Sequence, residues 1–101
     1  MKTTKKEQVV LVMYRYNPQL GNYCTLRISD VIKVTKTSIK VDYYGTEKVF
    51  NFCGMEKKPA KCVYGSAFYR IYTFDRAKDL FDGEKFDGYK ISTGKNIFET
   101  L

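Results

Sequence analysis

Three stretches of this 101-residue chain concentrate phenol rings, two of them beside arginine: Tyr14, Arg15 and Tyr16; Tyr43 and Tyr44; and Tyr64, Arg70 and Tyr72 within YGSAFYRIYTF. This mixture suits single-stranded nucleic acid, whose phosphates are tracked by cations and whose bases gain roughly 1–3 kcal/mol each by stacking on an aromatic ring. Arg27, Lys33, Lys36 and Lys40 are the candidates to neutralise phosphates. The competing reading is architectural, because a Tyr ring packs well at the margin of a small core while its hydroxyl stays wet.

Alternation sorts the third stretch into two faces, with Tyr64, Ser66, Phe68, Arg70 and Tyr72 on one and Gly65, Ala67, Tyr69 and Ile71 on the other. A buried, unpaired guanidinium is very costly, so the Arg70 face should be the wet one. That makes Tyr64 and Tyr72 outward rings and assigns Tyr69 and Ile71 to the core. An exposed Phe68 would strengthen the binding reading. Set against the aromatic signature of RNA-recognition motifs, residues 64–71 match only at Gly65, Ala67 and Phe68, and residues 17–60 lack the helix that module needs. The stretch therefore reads as a barrel strand with one contact face.

Catalysis has little to work with. The chain holds no His, which removes Ser-His-Asp and Cys-His mechanisms and the commonest general base near neutral pH. Asp82, Glu84 and Asp87 form the densest acidic cluster, but their spacing is not that of a calcium loop, and no phosphate-cradling glycine motif is present. Cys24, Cys53 and Cys62 have no paired CxxC spacing and no His to complete a zinc site. They are expected to be reduced thiols, with a Cys53–Cys62 bridge the alternative allowed by spacing. The expectation is a non-enzymatic protein without metal or cofactor.

Charge narrows the partners. Residues 1–70 carry 13 Lys or Arg against 5 Asp or Glu, a net of +8, whereas residues 71–101 carry 5 against 6, a net of −1. The positive field favours an anionic partner and salt-sensitive encounter, and also serves solubility. The longest apolar run, VVLVM at 9–13, is far short of the roughly 18 residues of a membrane span, and no cleavage site follows the charged start. The chain reads as cytoplasmic and not membrane-bound.

These residues must be held by strands. QVVLVMYRY at 8–16 is apolar and then alternates; YCTLRIS puts Cys24, Leu26 and Ile28 on one face; VIKVTKTSIKVDY reads as a hairpin reversing near Lys36, with Lys33 and Lys40 outside and Ile32, Val34, Ile39 and Val41 sharing a face. Phe50 and Phe52 should both point inward. TFDRAKDLF changes period into a short helix at 74–81, capped by Thr73, and two more strands are expected near 86–92 and 96–100. One domain follows: a small antiparallel β-barrel of five to seven strands over about 8–72, the helix, and a C-terminal strand extension over 84–101.

DVIKVTKTSIKV, the Gly45 turn into KVFNF, the Gly54 and Lys-rich loop, and YGSAFYRIYTFDRAKDLF together resemble a family of small uncharacterised bacteriophage β-barrel proteins, of the Src-homology or KOW kind. The resemblance spans about residues 28–82 and departs after Gly83. It carries no activity to transfer. It implies a phage accessory protein acting on host macromolecules in the host cytoplasm, which the basic, tyrosine-rich surface narrows to host nucleic acid or nucleic-acid-processing machinery. The alternative is a counter-defence protein, either an anti-CRISPR-type inhibitor docking on a host effector or a sponge for a nucleotide second messenger.

Overall fold

The computed structural model describes residues 7–16, 19, 21–56 and 67–100. It is mainly β, an antiparallel sheet curled into a half-barrel with seven strands and a short helix. Strands β1 (Gln8–Arg15), β2 (Tyr23–Val34), β3 (Ile39–Tyr43), β4 (Thr46–Phe50) and β5 (Ala67–Tyr72) lie in the order β4-β3-β2-β1-β5. Single pairs at Phe50–Glu56 and Met55–Arg70 partly span the gap between β4 and β5. After β5 come helix α1 (Phe74–Leu80), strands β6 (Lys85–Phe86) and β7 (Tyr89–Thr93), and one helical turn, α2 (Ile97–Thr100). No helix among the described residues is long and apolar enough to cross a membrane.

The unbroken apolar run in β1 has a physical reason: both faces of this strand are covered. Inside the curl, Leu11 packs with Val41, Phe50 and Ile71. On the outer face Val10, Val12 and Tyr14 join Cys24, Leu26 and Tyr72 beneath a layer supplied by the C-terminal third, where Ala77 of α1 and Phe86 of β6 are fully buried. Phe98 of α2 stacks on Phe81 at 4.1 Å and seals that layer. Burying a Phe or Leu side chain contributes about 1.5–3 kcal/mol, so this outer layer is a second half of the core and not an appendage.

Several expectations change here. The segment at 96–100 is helical, because Ile97 N–H and Phe98 N–H donate to Gly94 and Lys95 carbonyls and the two apolar side chains then fold back onto the outer core. β7 pairs with β2 in parallel, across Tyr23–Thr25, in an otherwise antiparallel arrangement. Val31 continues the inner face of Arg27 and Ser29, and the bulge that follows it, between Val31 and Lys33, leaves Ile32 51% exposed. Val34, paired with Ile39 at the rim, is exposed as well. Phe50 is buried as expected, but β4 stops there and Phe52 sits in the following turn, 57% exposed.

Helix α1 forms where its period and cap place it. Thr73 has extended backbone and its hydroxyl oxygen accepts from Arg76 N–H at 3.2 Å, while Asp75 sits in the positive first turn. Thr73→Ala should therefore lower stability by about 1 kcal/mol, read as a shift in urea midpoint. An unchanged midpoint would mean the cap contributes nothing.

Candidate nucleic-acid interface

The antiparallel meander brings the end of β1, the start of β2, the β3–β4 turn and the start of β5 to one end of the half-barrel, called the upper end here. Cations and tyrosines meet there on the inner face. The Arg27 guanidinium lies 3.9 Å from the Tyr44 ring centroid and 5.7 Å from that of Tyr43. Tyr43 meets Tyr69 edge-on at 5.2 Å, and Lys48 Nζ sits 3.9 Å from the Tyr69 ring centroid. Tyr44 is 71% exposed, so much of its ring is open to a ligand even with Tyr43 meeting it edge-on at 4.7 Å. Its backbone is left-handed (φ 51°), and Asp42 accepts the Gly45 N–H at 3.1 Å, which fixes the turn that presents the ring.

The electrostatics differ from cation to cation. Lys48 donates to Glu56 at 3.1 Å, an ion pair that offsets its charge. Arg15 and Arg27 have no carboxylate within ion-pair distance among the described residues, and their buried Nε atoms make no hydrogen bond. Among the described residues Arg15 donates to the weak acceptor Met13 Sδ, at 3.9 Å. The Arg27 guanidinium, stacked on an exposed ring and without a carboxylate partner among the described residues, can hold phosphate beside a stacked base, and Arg15 adds positive charge at the same end. Burial pushes the Tyr43 hydroxyl up to about 12, so it stays neutral and can donate.

The remaining predicted residues are scattered. Tyr16 is exposed at the upper end, directly after Arg15. Lys33, Lys36 and Lys40 lie at the opposite, lower end, on the β2–β3 hairpin, and Lys40 pairs with Glu47 at 3.5 Å. Lys33 lies six residues along β2 from Arg27 and Lys36 is further still, so these lysines and Arg27 do not form one compact phosphate site. Tyr64 lies outside the described residues, as does Cys62.

Tyr14 and Tyr72 are corrections. Both are buried, Tyr14 to 1% exposure, because the C-terminal layer covers the face on which alternation places them. Their hydroxyls meet at 2.6 Å, and Tyr14 also reaches Asp87 at 3.5 Å. Burial, then their mutual hydrogen bond, raises Tyr14 far above its ordinary value; burial also raises Tyr72. Such a pair is structural and offers no base. Arg70 is beside them, its guanidinium 5.4 Å from the Tyr72 ring centroid, on the outer face. Phe68 is exposed, with Tyr14 stacked behind it at 4.9 Å.

Two groups were not singled out from sequence. Lys48 has no tyrosine in its own strand, and alternation assigns Tyr69 to the core; only the curl of β3–β4 toward β5 joins them. Cys24 is buried with its thiol pushed up to about 12, chiefly by burial, and is no nucleophile; Cys53 is exposed and unbridged. Among the described residues no group of three His, Cys, Asp or Glu is placed to hold a metal ion. Asp82 is instead held low by the N–H groups of Lys85 and Glu84, at 2.6 and 2.9 Å. Comparison of the chain with family models, curated proteins and solved structures found no match.

Proposed function

We propose that this is a non-enzymatic binding protein that holds single-stranded nucleic acid at the upper end of its half-barrel, in the phage accessory setting its hairpin and aromatic strand resemble. The observation that carries the reading is Arg27 stacked on Tyr44, an exposed ring, at the same end of the half-barrel as Arg15, which pairs with no carboxylate among the described residues. Guanidinium groups contact phosphates, Tyr44 stacks a base, and exposed Tyr16 and Phe68 extend the platform over the rim.

Anisotropy with labelled single- and double-stranded oligonucleotides at two salt concentrations tests it. Single strands should bind better, and affinity should fall steeply with salt. Tyr44→Ala should weaken binding roughly five- to hundredfold, and Arg27→Gln should lower the salt slope by about 0.7. Lys36→Gln, at the lower end, should change little. No binding at low salt, or equal losses from Lys36→Gln and Tyr44→Ala, would overturn the proposal.

A second reading, a counter-defence protein docking on a host effector, is favoured by the apolar Met55 and Phe68 exposed on the outer face of β5 around Arg70. A complex with a purified effector that survives Tyr44→Ala but is lost with Met55→Glu would select it.

A further inference from the structure

A different cleft opens at the lower end, between the turn after β4 and helix α1. It encloses about 440 Å³, within the range of small-molecule sites. Arg70, Arg76, Asp87 and Phe52 line it, with the buried Tyr72 at its floor.

The turn that forms one wall is locked in place. Asn51 Oδ1 accepts the N–H groups of Cys53 and Met55 at 2.9 and 3.0 Å, and Ile71 N–H donates to Gly54 carbonyl at 2.9 Å. Gly54 has φ +87°, and a Cβ there would stand 2.5 Å from the Ile71 carbonyl oxygen, so only glycine lets the turn press this closely on β5. Phe52 is thus an exposed ring held by a rigid backbone, which is the pre-organised form of a stacking wall. On the opposite wall the capped first turn of α1 fixes Arg76.

Arg70 supplies the second cation. Its Nε is buried and makes no hydrogen bond, and no carboxylate among the described residues pairs with it. The Arg70 guanidinium lies 5.4 Å from the ring centroid of Tyr72 at the cleft floor, and Arg76 and Asp87 line the same cleft. Asp87 is anchored by its own N–H to Leu80 carbonyl at 2.9 Å.

We infer that this cleft binds a small phosphorylated molecule carrying a planar ring, of mononucleotide size, with phosphate on Arg70 and Arg76, the ring against Phe52, and Asp87 accepting from a ring amine or sugar hydroxyl. A polyanion fits poorly, because the α1 wall of the cleft also carries Asp75 and Asp79, with Asp87 in the lining and Glu84 nearby in sequence. A single compact anion between two guanidinium groups does not meet that repulsion along a track. This site is separate from the upper-end interface and stands or falls without it.

Calorimetric titration of the full chain with AMP, adenosine and inorganic phosphate is the test. AMP should bind more tightly than either fragment. Arg76→Gln should weaken AMP and phosphate about tenfold or more, and Phe52→Ala should weaken AMP while leaving phosphate unchanged. Both positions are at the surface, so folding should persist, which circular dichroism checks. Failure of AMP to bind, or binding insensitive to Arg76→Gln and Phe52→Ala, overturns the inference. AMP binding lost with Arg27→Gln instead would overturn it while supporting the upper-end interface.

Discussion

Gly94→Ala should be among the most destabilising single substitutions in the chain, lowering stability by about 3–5 kcal/mol. Gly94 ends β7 with φ +96°, and a Cβ built there would stand 1.9 Å from the backbone oxygen of Leu26. Its carbonyl also accepts Ile97 N–H at 3.1 Å, which starts the turn that carries Phe98 back onto Phe81. A backbone oxygen of a central strand cannot swing aside as a flexible side chain can. Either β7 parts from β2 or the strained conformation is abandoned, and both routes loosen the layer over Tyr14, Cys24 and Leu26. For a domain of this size the loss corresponds to a fall in melting temperature of roughly 12 °C or more. Gly83→Ala is the control: its φ is +103° but nothing stands within 4 Å of the added Cβ, so strain remains and the clash does not. Thermal unfolding of the two variants separates the contributions. A melting temperature for Gly94→Ala within a few degrees of that for Gly83→Ala would contradict the close approach.

The sequence carried local information well and long-range information poorly. Period-2 spacing assigned Cys24 and Leu26 to one face, and Lys33 and Lys40 to the outside of their hairpin; the Thr73 cap and the apolar spacing after it placed α1. Alternation also put Arg70 and Tyr72 on the same face. It could not say that residues folded from the far end of the chain, Phe86 and Phe98 among them, would cover that face and bury Tyr72. A strand's period names a side of the sheet, not an end of the half-barrel, so Arg27 and the hairpin lysines looked like one basic surface until the register separated them. The pairs that define the upper end, Arg27 on Tyr44 and Lys48 on Tyr69, link residues 17 or more positions apart by curl alone. Phe52 was misread because nothing in KVFNF marks Asn51 as the residue whose side chain would cap a turn.

The buried phenols and thiol make alkaline pH the other large perturbation. Tyr14, Tyr72 and Cys24 each hold a proton more tightly in the folded chain than their ordinary values of 10.0, 10.0 and 9.0 would allow, mainly because burial penalises the charged form. The unfolded chain binds fewer protons than the folded one above those ordinary values. Stability is therefore intact below about pH 9 and falls as pH rises from there through about 12, at about 1.4 kcal/mol per pH unit for each group fully engaged. Cys24 engages first and the coupled tyrosine pair above pH 10, so the loss steepens. Urea unfolding at stepped pH values should show the decline, and Cys24→Ala should flatten its onset by about one proton. Stability that stays level from pH 9 to 11 would mean that these groups are wet in solution, and with them the outer face that the C-terminal layer is placed to close. Tyr14→Phe carries the same test to the pair: it removes one titration but strips Tyr72 of its 2.6 Å partner, so stability should drop at neutral pH while its alkaline decline becomes shallower.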